Sequence, residues 1–199
     1  MNRNDSRIKK DSRSGRFISF NGIAIRLDEK IVFRNTNWHL YTGQQWAVLG
    51  KNGSGKTTLI RALCGELPVV AGEITYHFAD DNSPDSFPQN RISHVTFEDQ
   101  RAAMAGNDLF YQARWNSAVD EAQMSVAEYL SARNVFEINP YEVIDKPVDT
   151  AAFEKYQRRV YRLLDITGLL QRRMLELSNG ESRKVLIARA LLKKPRLLI

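Results

Sequence analysis

Cysteine is almost absent from this sequence. Cys64 is the single one in 199 residues, which excludes an intrachain disulfide and a thiolate metal cluster. Histidine is nearly as scarce: His39, His77 and His94 lie far apart on expected strands, where a hydrogen-bonded or exposed imidazole is the expectation and a zinc ligand is not. No window approaches the ~18 consecutive apolar residues of a membrane-crossing helix, and no charged-then-apolar leader precedes a cleavage site. These absences read as a soluble chain without a transmembrane segment, in a reducing cytoplasm. Acidic residues are outnumbered, 23 against 29 Lys and Arg, for a net charge of +6, but the excess is local. Between Met1 and Arg16 six basic side chains accompany two acidic ones, so the tail carries +4 and everything after it only +2. The stretch 1–15 therefore reads as a disordered basic tail, and the nearly neutral body argues against nucleic acid as a partner.

What the chain does have is enough apolar residue, 43%, to bury one substantial core, so residues 16–199 are expected to form one domain with an elaboration. Phe17–Phe20, Ile23–Leu27, Ile31–Phe33 and Asn37–Leu40 read as short strands of an antiparallel β region. Trp46–Leu49 reads as a buried strand, Ala71-Gly72 as a turn, and Glu73–Phe78 as a further strand. Residues 80–89 read as a surface loop and Ile92–Phe97 as the next strand. From about 101 to 179 the pattern is that of a helical insert. Ser125-Val126-Ala127-Glu128 has capping-box spacing, and Tyr156, Val160, Leu163 and Leu164 make one apolar helix face.

Gly50-Lys51-Asn52-Gly53-Ser54-Gly55-Lys56-Thr57-Thr58 is a complete phosphate-binding loop between an apolar run and a helix. A nucleoside triphosphate is polyanionic, and the loop answers with backbone N–H groups that Gly50, Gly53 and Gly55 let curl inward. The positive end of the following helix adds to that attraction. Asn52, Ser54 and Thr58 line the same turn. Lys56 is placed to reach the β- and γ-phosphates, and Thr57 is the expected Mg²⁺ ligand. Downstream, Leu177-Ser178-Asn179-Gly180-Glu181 opens a helix with Ser178 or Asn179 as cap and Val185, Ala188 and Leu192 as its buried face.

In this order the two motifs resemble the ATP-binding cassette family, whose signature is Leu-Ser-Gly-Gly-Gln; Asn179 and Glu181 depart from it, while Ser178 and Gly180 are kept. The resemblance runs from about Phe17 to Ile199. Stretches such as Gln45–Gly50, Arg61–Pro68, Val95–Glu98 and Leu177–Lys184 are similar to twin-cassette ATP-binding proteins of the molybdenum-transport and photorepair type. The fold class implied is α/β: a P-loop NTPase core with an antiparallel β subdomain and a helical insert, truncated before the Walker B acidic residues. The family places its aspartate and catalytic glutamate just after the strand Pro195–Ile199, so the resemblance implies that the 199 residues hold ATP and Mg²⁺ without turnover. It also implies that Ser178, Asn179, Gly180 and Glu181 contact the ATP of a second cassette. A membrane permease, and with it a place at the inner membrane, is implied as a further partner.

Counting back from the loop puts Leu27 where the family stacks an aromatic on adenine, so base contact would be weaker or borrowed from Phe20 or a partner. The glutamine that senses γ-phosphate and metal has its nearest counterpart in Gln100, with Glu98 and Asp99 as competitors. Other functions remain open on residues alone. A small-molecule P-loop kinase or a GTPase shares the loop, although a guanine motif Asn-Lys-x-Asp is missing. A soluble cassette acting on ribosomes or DNA, or a pure interaction module, are the remaining alternatives.

Overall fold

The computed structural model describes residues 15–27, 29–78, 87, 91–104, 124–137 and 149–199. The basic tail before Gly15, the polar loop expected at 80–89 apart from Phe87, and most of the insert between 105 and 148 lie outside the described residues. The chain divides into two compact units, 1–89 and 90–199.

The first unit is built on a three-stranded antiparallel sheet in the order β2-β1-β3, with β1 at Arg16–Leu27, β2 at Lys30–Tyr41 and β3 at Val69–Tyr76. The central strand buries Ile18, Ser19 and Phe20 and then Ile23, Ala24 and Ile25, near-continuous runs rather than an alternation. Its two expected halves are one strand, because Gly22 takes φ +60 and absorbs a register shift between Phe20 and Ile23. Phe20 pairs with Trp38 on one side and Ile74 on the other, and its ring meets Trp38 edge-on at 5.5 Å. Ala71-Gly72 lies inside β3 rather than at a turn; the third strand starts at Val69 and runs on through it. His77 is hydrogen-bonded, its Nε2 lying 2.9 Å from Ser19 Oγ. Helix α1, Lys56–Leu63, follows the phosphate loop and ends at Cys64 and Gly65.

A further expectation fails here. Trp46–Leu49 is neither a strand nor buried: Leu49 is 89% exposed and Trp46 54%. An apolar run becomes a strand only when a neighbour takes up its N–H and C=O groups, and no described strand pairs with this one. Trp46 packs edge-on against Trp38 at 5.4 Å instead.

The second unit contains a short parallel pair, β4 (Ile92–Ser93) and β5 (Leu197–Leu198), in the register Ile92↔Leu197 and Ser93↔Leu198. The strand expected to reach Phe97 stops early because Thr96 and Asp99 cap a helix: Thr96 N donates to Asp99 Oδ2 at 2.8 Å and Asp99 N to Thr96 Oγ1 at 3.0 Å. Phe97 therefore opens α2, Phe97–Met104. Two short helices, α3 (Val126–Tyr129) and α4 (Ala132–Val135), start at Ser125 and Ser131, and Ser125 forms the capping box that its spacing to Glu128 predicts. Asp149 caps α5, Thr150–Leu164. The buried face of α5 is Phe153, Val160 and Tyr161; Leu163, expected on that face, is 70% exposed. At 100° per residue, position 163 falls well off the stripe through 153, 160 and 164. α6, Asn179–Leu192, buries Val185, Ala188 and Leu192 as expected, in one core with Val126, Leu130, Phe153, Ile166 and Met174.

Candidate functional site

The phosphate loop lies in the first unit as one continuous turn. Gly55 is the N-cap of α1 with φ +90, and Gly53 has φ +78, both in the left-handed region that side chains resist. A Cβ on Gly50 would come within 2.5 Å of Ser54 Oγ, so the Ser54 hydroxyl would have to turn aside. The turn is closed by Ser54 N donating to Lys51 O at 3.1 Å, and the helix starts with Leu59 N donating to Gly55 O at 2.8 Å. No acidic residue occupies the first turn of α1, and its N-cap supplies no side-chain acceptor, so the positive end of the helix dipole is left uncompensated by the chain itself. Lys56 Nζ folds back over the loop, donating to Gly50 O at 2.8 Å and Lys51 O at 2.9 Å. Asn52, Ser54 and Thr57 are exposed and Thr58 is half-buried. A turn held by two glycines in the left-handed region, a cation laid across it and an exposed hydroxyl one residue on fit a polyphosphate, with Thr57 able to hold a hard divalent ion.

Base-contact expectations fare differently. Leu27 ends β1, half-buried, at the turn to Lys30. Phe20 is fully buried in the sheet, which removes it as a stacking surface. The aromatic ring at the loop is Phe33, whose Cζ would lie 2.8 Å from a Cβ on Gly55, and whose backbone sits at φ +54. Sequence reading took Phe33 as an ordinary strand residue. A bulky residue in the left-handed region is an outlier that nothing in the local sequence announces.

The signature segment lies in the second unit. Ser178 is the N-cap of α6: its Oγ accepts from Glu181 N at 3.3 Å, while Ser178 N donates to Glu181 Oε2 at 2.8 Å. Arg172 Nη1 reaches Glu181 Oε1 at 2.9 Å. The hydrogen bonds from Ser178, backbone first, and then the Arg172 guanidinium hold the Glu181 carboxyl below its ordinary range. Ser178, Asn179 and Gly180 stand exposed at the tip, and the space around Gly180 is open.

Gln100 is brought to this helix. It is 4% exposed, and its Nε2 donates to Asn179 O at 3.0 Å and to Ser182 Oγ at 2.9 Å, while its Oε1 accepts from Arg183 Nε at 3.0 Å. Ser182, itself fully buried, also donates to Asn179 O at 3.1 Å. Arg172, Ser182 and Arg183 were missed by sequence reasoning. Gln100 bonds residues 79 to 83 positions away, a separation that no local pattern reports.

The family model described as ABC transporter matches residues 33–199. The ABC transporter ATP-binding protein ModF of Escherichia coli is 33% identical over 166 residues, which are 80% of this chain and 27% of that protein. An uncharacterized ABC transporter ATP-binding protein, YmeB of Lactococcus lactis, is 29% identical over 92% of this chain and 62% of its own length. The zinc import ATP-binding protein ZnuC of a Ruegeria species is 28% identical over 92% of this chain and 57% of its own. The chain thus spans between about a quarter and three fifths of these relatives. Among solved structures, an ATP-binding cassette of an ABC transporter in its ADP conformation superposes with a TM-score of 0.64 at 20% identity. It covers 92% of this chain and 67% of that one, and at this identity it speaks for the fold alone.

Proposed function

The chain belongs to the ABC transporter family, and from that membership we propose that it is the nucleotide-binding part of an ATPase, with Gly50–Thr58 as its ATP site. The observation that carries this reading is the phosphate loop: two glycines held at left-handed φ and Lys56 folded across them onto the Gly50 and Lys51 carbonyls. Bound there, ATP would exchange the carbonyl partners of Lys56 for phosphate oxygens, a charge-assisted contact in place of a neutral one. Gly53, Ser54, Gly55 and the first amides of α1 would donate to the phosphates, Asn52 and Thr58 would border them, and Thr57 would hold Mg²⁺. Magnesium supplies charge neutralisation of the β- and γ-oxygens. Ser178, Asn179, Gly180 and Glu181 would face ATP held by a second cassette, so that pairing of cassettes is driven by nucleotide. No helix among the described residues is long and apolar enough to cross a membrane, which agrees with a partner permease supplying the spans. The resemblance of stretches such as Gln45–Gly50 and Leu177–Lys184 to cassettes of the molybdenum-transport type supports a link to molybdate as the finer reading.

The test is ATP affinity. Replacing Lys56 by Ala deletes a charge-assisted bond worth about 1.5–3 kcal/mol, so the dissociation constant of ATP should rise about tenfold or more. Calorimetric titration of both forms decides: equal affinities would remove the loop from the argument.

A further inference from the structure

Gln100 is the residue that the family resemblance offers as a sensor of γ-phosphate and metal, yet its carboxamide is committed elsewhere. The geometry points to Gln100 as a positioning residue that, with Ser182 and Arg183, fixes the first turn of the signature helix in the orientation it presents to a partner's nucleotide. This rests on the signature reading proposed above.

The bonding is complete on both atoms of the amide. The two Nε2 protons go to Asn179 O and Ser182 Oγ, and Oε1 carries the Arg183 guanidinium. The amide cannot be turned over: its oxygen would then confront the Asn179 carbonyl and its nitrogen the Arg183 N–H, replacing good bonds by two repulsive pairs. A cation on Oε1 would stand against the Arg183 charge, which is the wrong environment for a magnesium ligand. The cluster is also where leverage is greatest. Asn179 and Gly180 are exposed at the helix tip, while the carbonyl of Asn179 is tied inward to Gln100 and Ser182, both essentially buried. Gln100 and Ser182 are buried with their hydrogen bonds made, so removing the Gln100 amide leaves Ser182 Oγ and Asn179 O each one bond short. α2 is thereby joined to α6 through polar bonds specific in direction, which an apolar contact would not be.

The experiment uses Gln100→Leu, close in volume and unable to hydrogen-bond, and Arg183→Met, whose exposed position keeps the fold safe. ATP and Mg·ATP binding is measured on the 199-residue chain by calorimetry, with Lys56→Ala as control; steady-state hydrolysis is measured on the protein at its natural length. The expected result is a split: affinities within about twofold of wild type for both variants, but kcat lowered about tenfold by Gln100→Leu and about threefold by Arg183→Met, with KM changing less than kcat. A merely structural defect is recognised by the calorimetric stoichiometry: it would lower the fraction of chain that binds ATP in step with kcat, whereas a positioning role lowers kcat with the stoichiometry at the wild-type value. Loss of Mg-dependent ATP affinity in Gln100→Leu would overturn the proposal and make Gln100 a nucleotide contact, and an unchanged kcat in both variants would overturn it outright. Failure of the underlying reading looks different: Lys56→Ala would then bind ATP as well as wild type, or the wild-type protein would not hydrolyse it.

Discussion

Gly72 occupies a position where only glycine fits. Its φ is +74, and a Cβ would run into the backbone carbonyls of Asn21 and Gly22 on the central strand. Backbone cannot give way as the end of a flexible side chain can, so Gly72→Ala should cost at least about 2 kcal/mol and lower the urea midpoint of the first unit correspondingly. A midpoint equal to wild type would show that β3 rides further from β1 than the structure has it. The same residue scale separates what could be read in advance from what could not. Gly53, Gly55 and Lys56 are legible because the backbone geometry of a phosphate loop is a local demand, met by residues three apart. Gly72 reads as a turn because a positive φ is a local property, while the reason for it, two carbonyls some fifty residues earlier, is not. Phe33 over Gly55 and Gln100 under Asn179 are illegible for that same reason. At Cys64 burial, with Glu66 adding to it, pushes the thiol up to about 11.

Helix starts are the elements whose limits the sequence marks best. Ser125 with Glu128, and Ser178 with Glu181, have the box spacing, and both boxes form. Where the ends went wrong, the missing information was non-local: Ile92–Phe97 was cut short by a Thr96–Asp99 cap hidden in an apolar run, and Trp46–Leu49 lacks a paired strand. The two boxes make a pH prediction. Glu128 is held below its ordinary value of 4.5 by hydrogen bonds from Ser125, backbone first, and Glu181 by those from Ser178 and then by Arg172. A depressed folded-state pKa means that the native state prefers the carboxylate. The contribution is therefore fully present above the unfolded value and is lost as pH falls through the folded one. The double variant Glu128→Gln/Glu181→Gln keeps the acceptors but cannot titrate. The stability gap between wild type and this variant, followed by urea unfolding, should shrink as pH falls from ~5 to ~3. A gap independent of pH over that interval would mean that the boxes do not depend on charge.

On the scale of the whole molecule, the two helix N-termini that the proposed function uses are of opposite construction. α1 begins at a glycine with no side-chain acceptor and no acidic residue in its first turn, so its dipole is open to an anion brought from outside. α6 begins with its own serine and a carboxylate already in place, and Arg172 is needed to balance that carboxylate. A triphosphate should therefore be held by α1, while α6 would present its tip, Ser178 to Glu181, to a phosphate held elsewhere. Gly180→Asp tests this division, because a Cβ at Gly180 meets nothing within 4 Å and the fold should be undisturbed. Added bulk and a second negative charge at that tip should leave ATP affinity of the 199-residue chain within about twofold of wild type. They should abolish ATP-driven pairing and hydrolysis in the protein at its natural length, where two like charges would meet across the nucleotide. Calorimetry on the chain and a phosphate-release assay on the protein at its natural length separate the cases. A large affinity loss in the chain alone would mean that α6 faces its own nucleotide, and the paired arrangement would have to be given up.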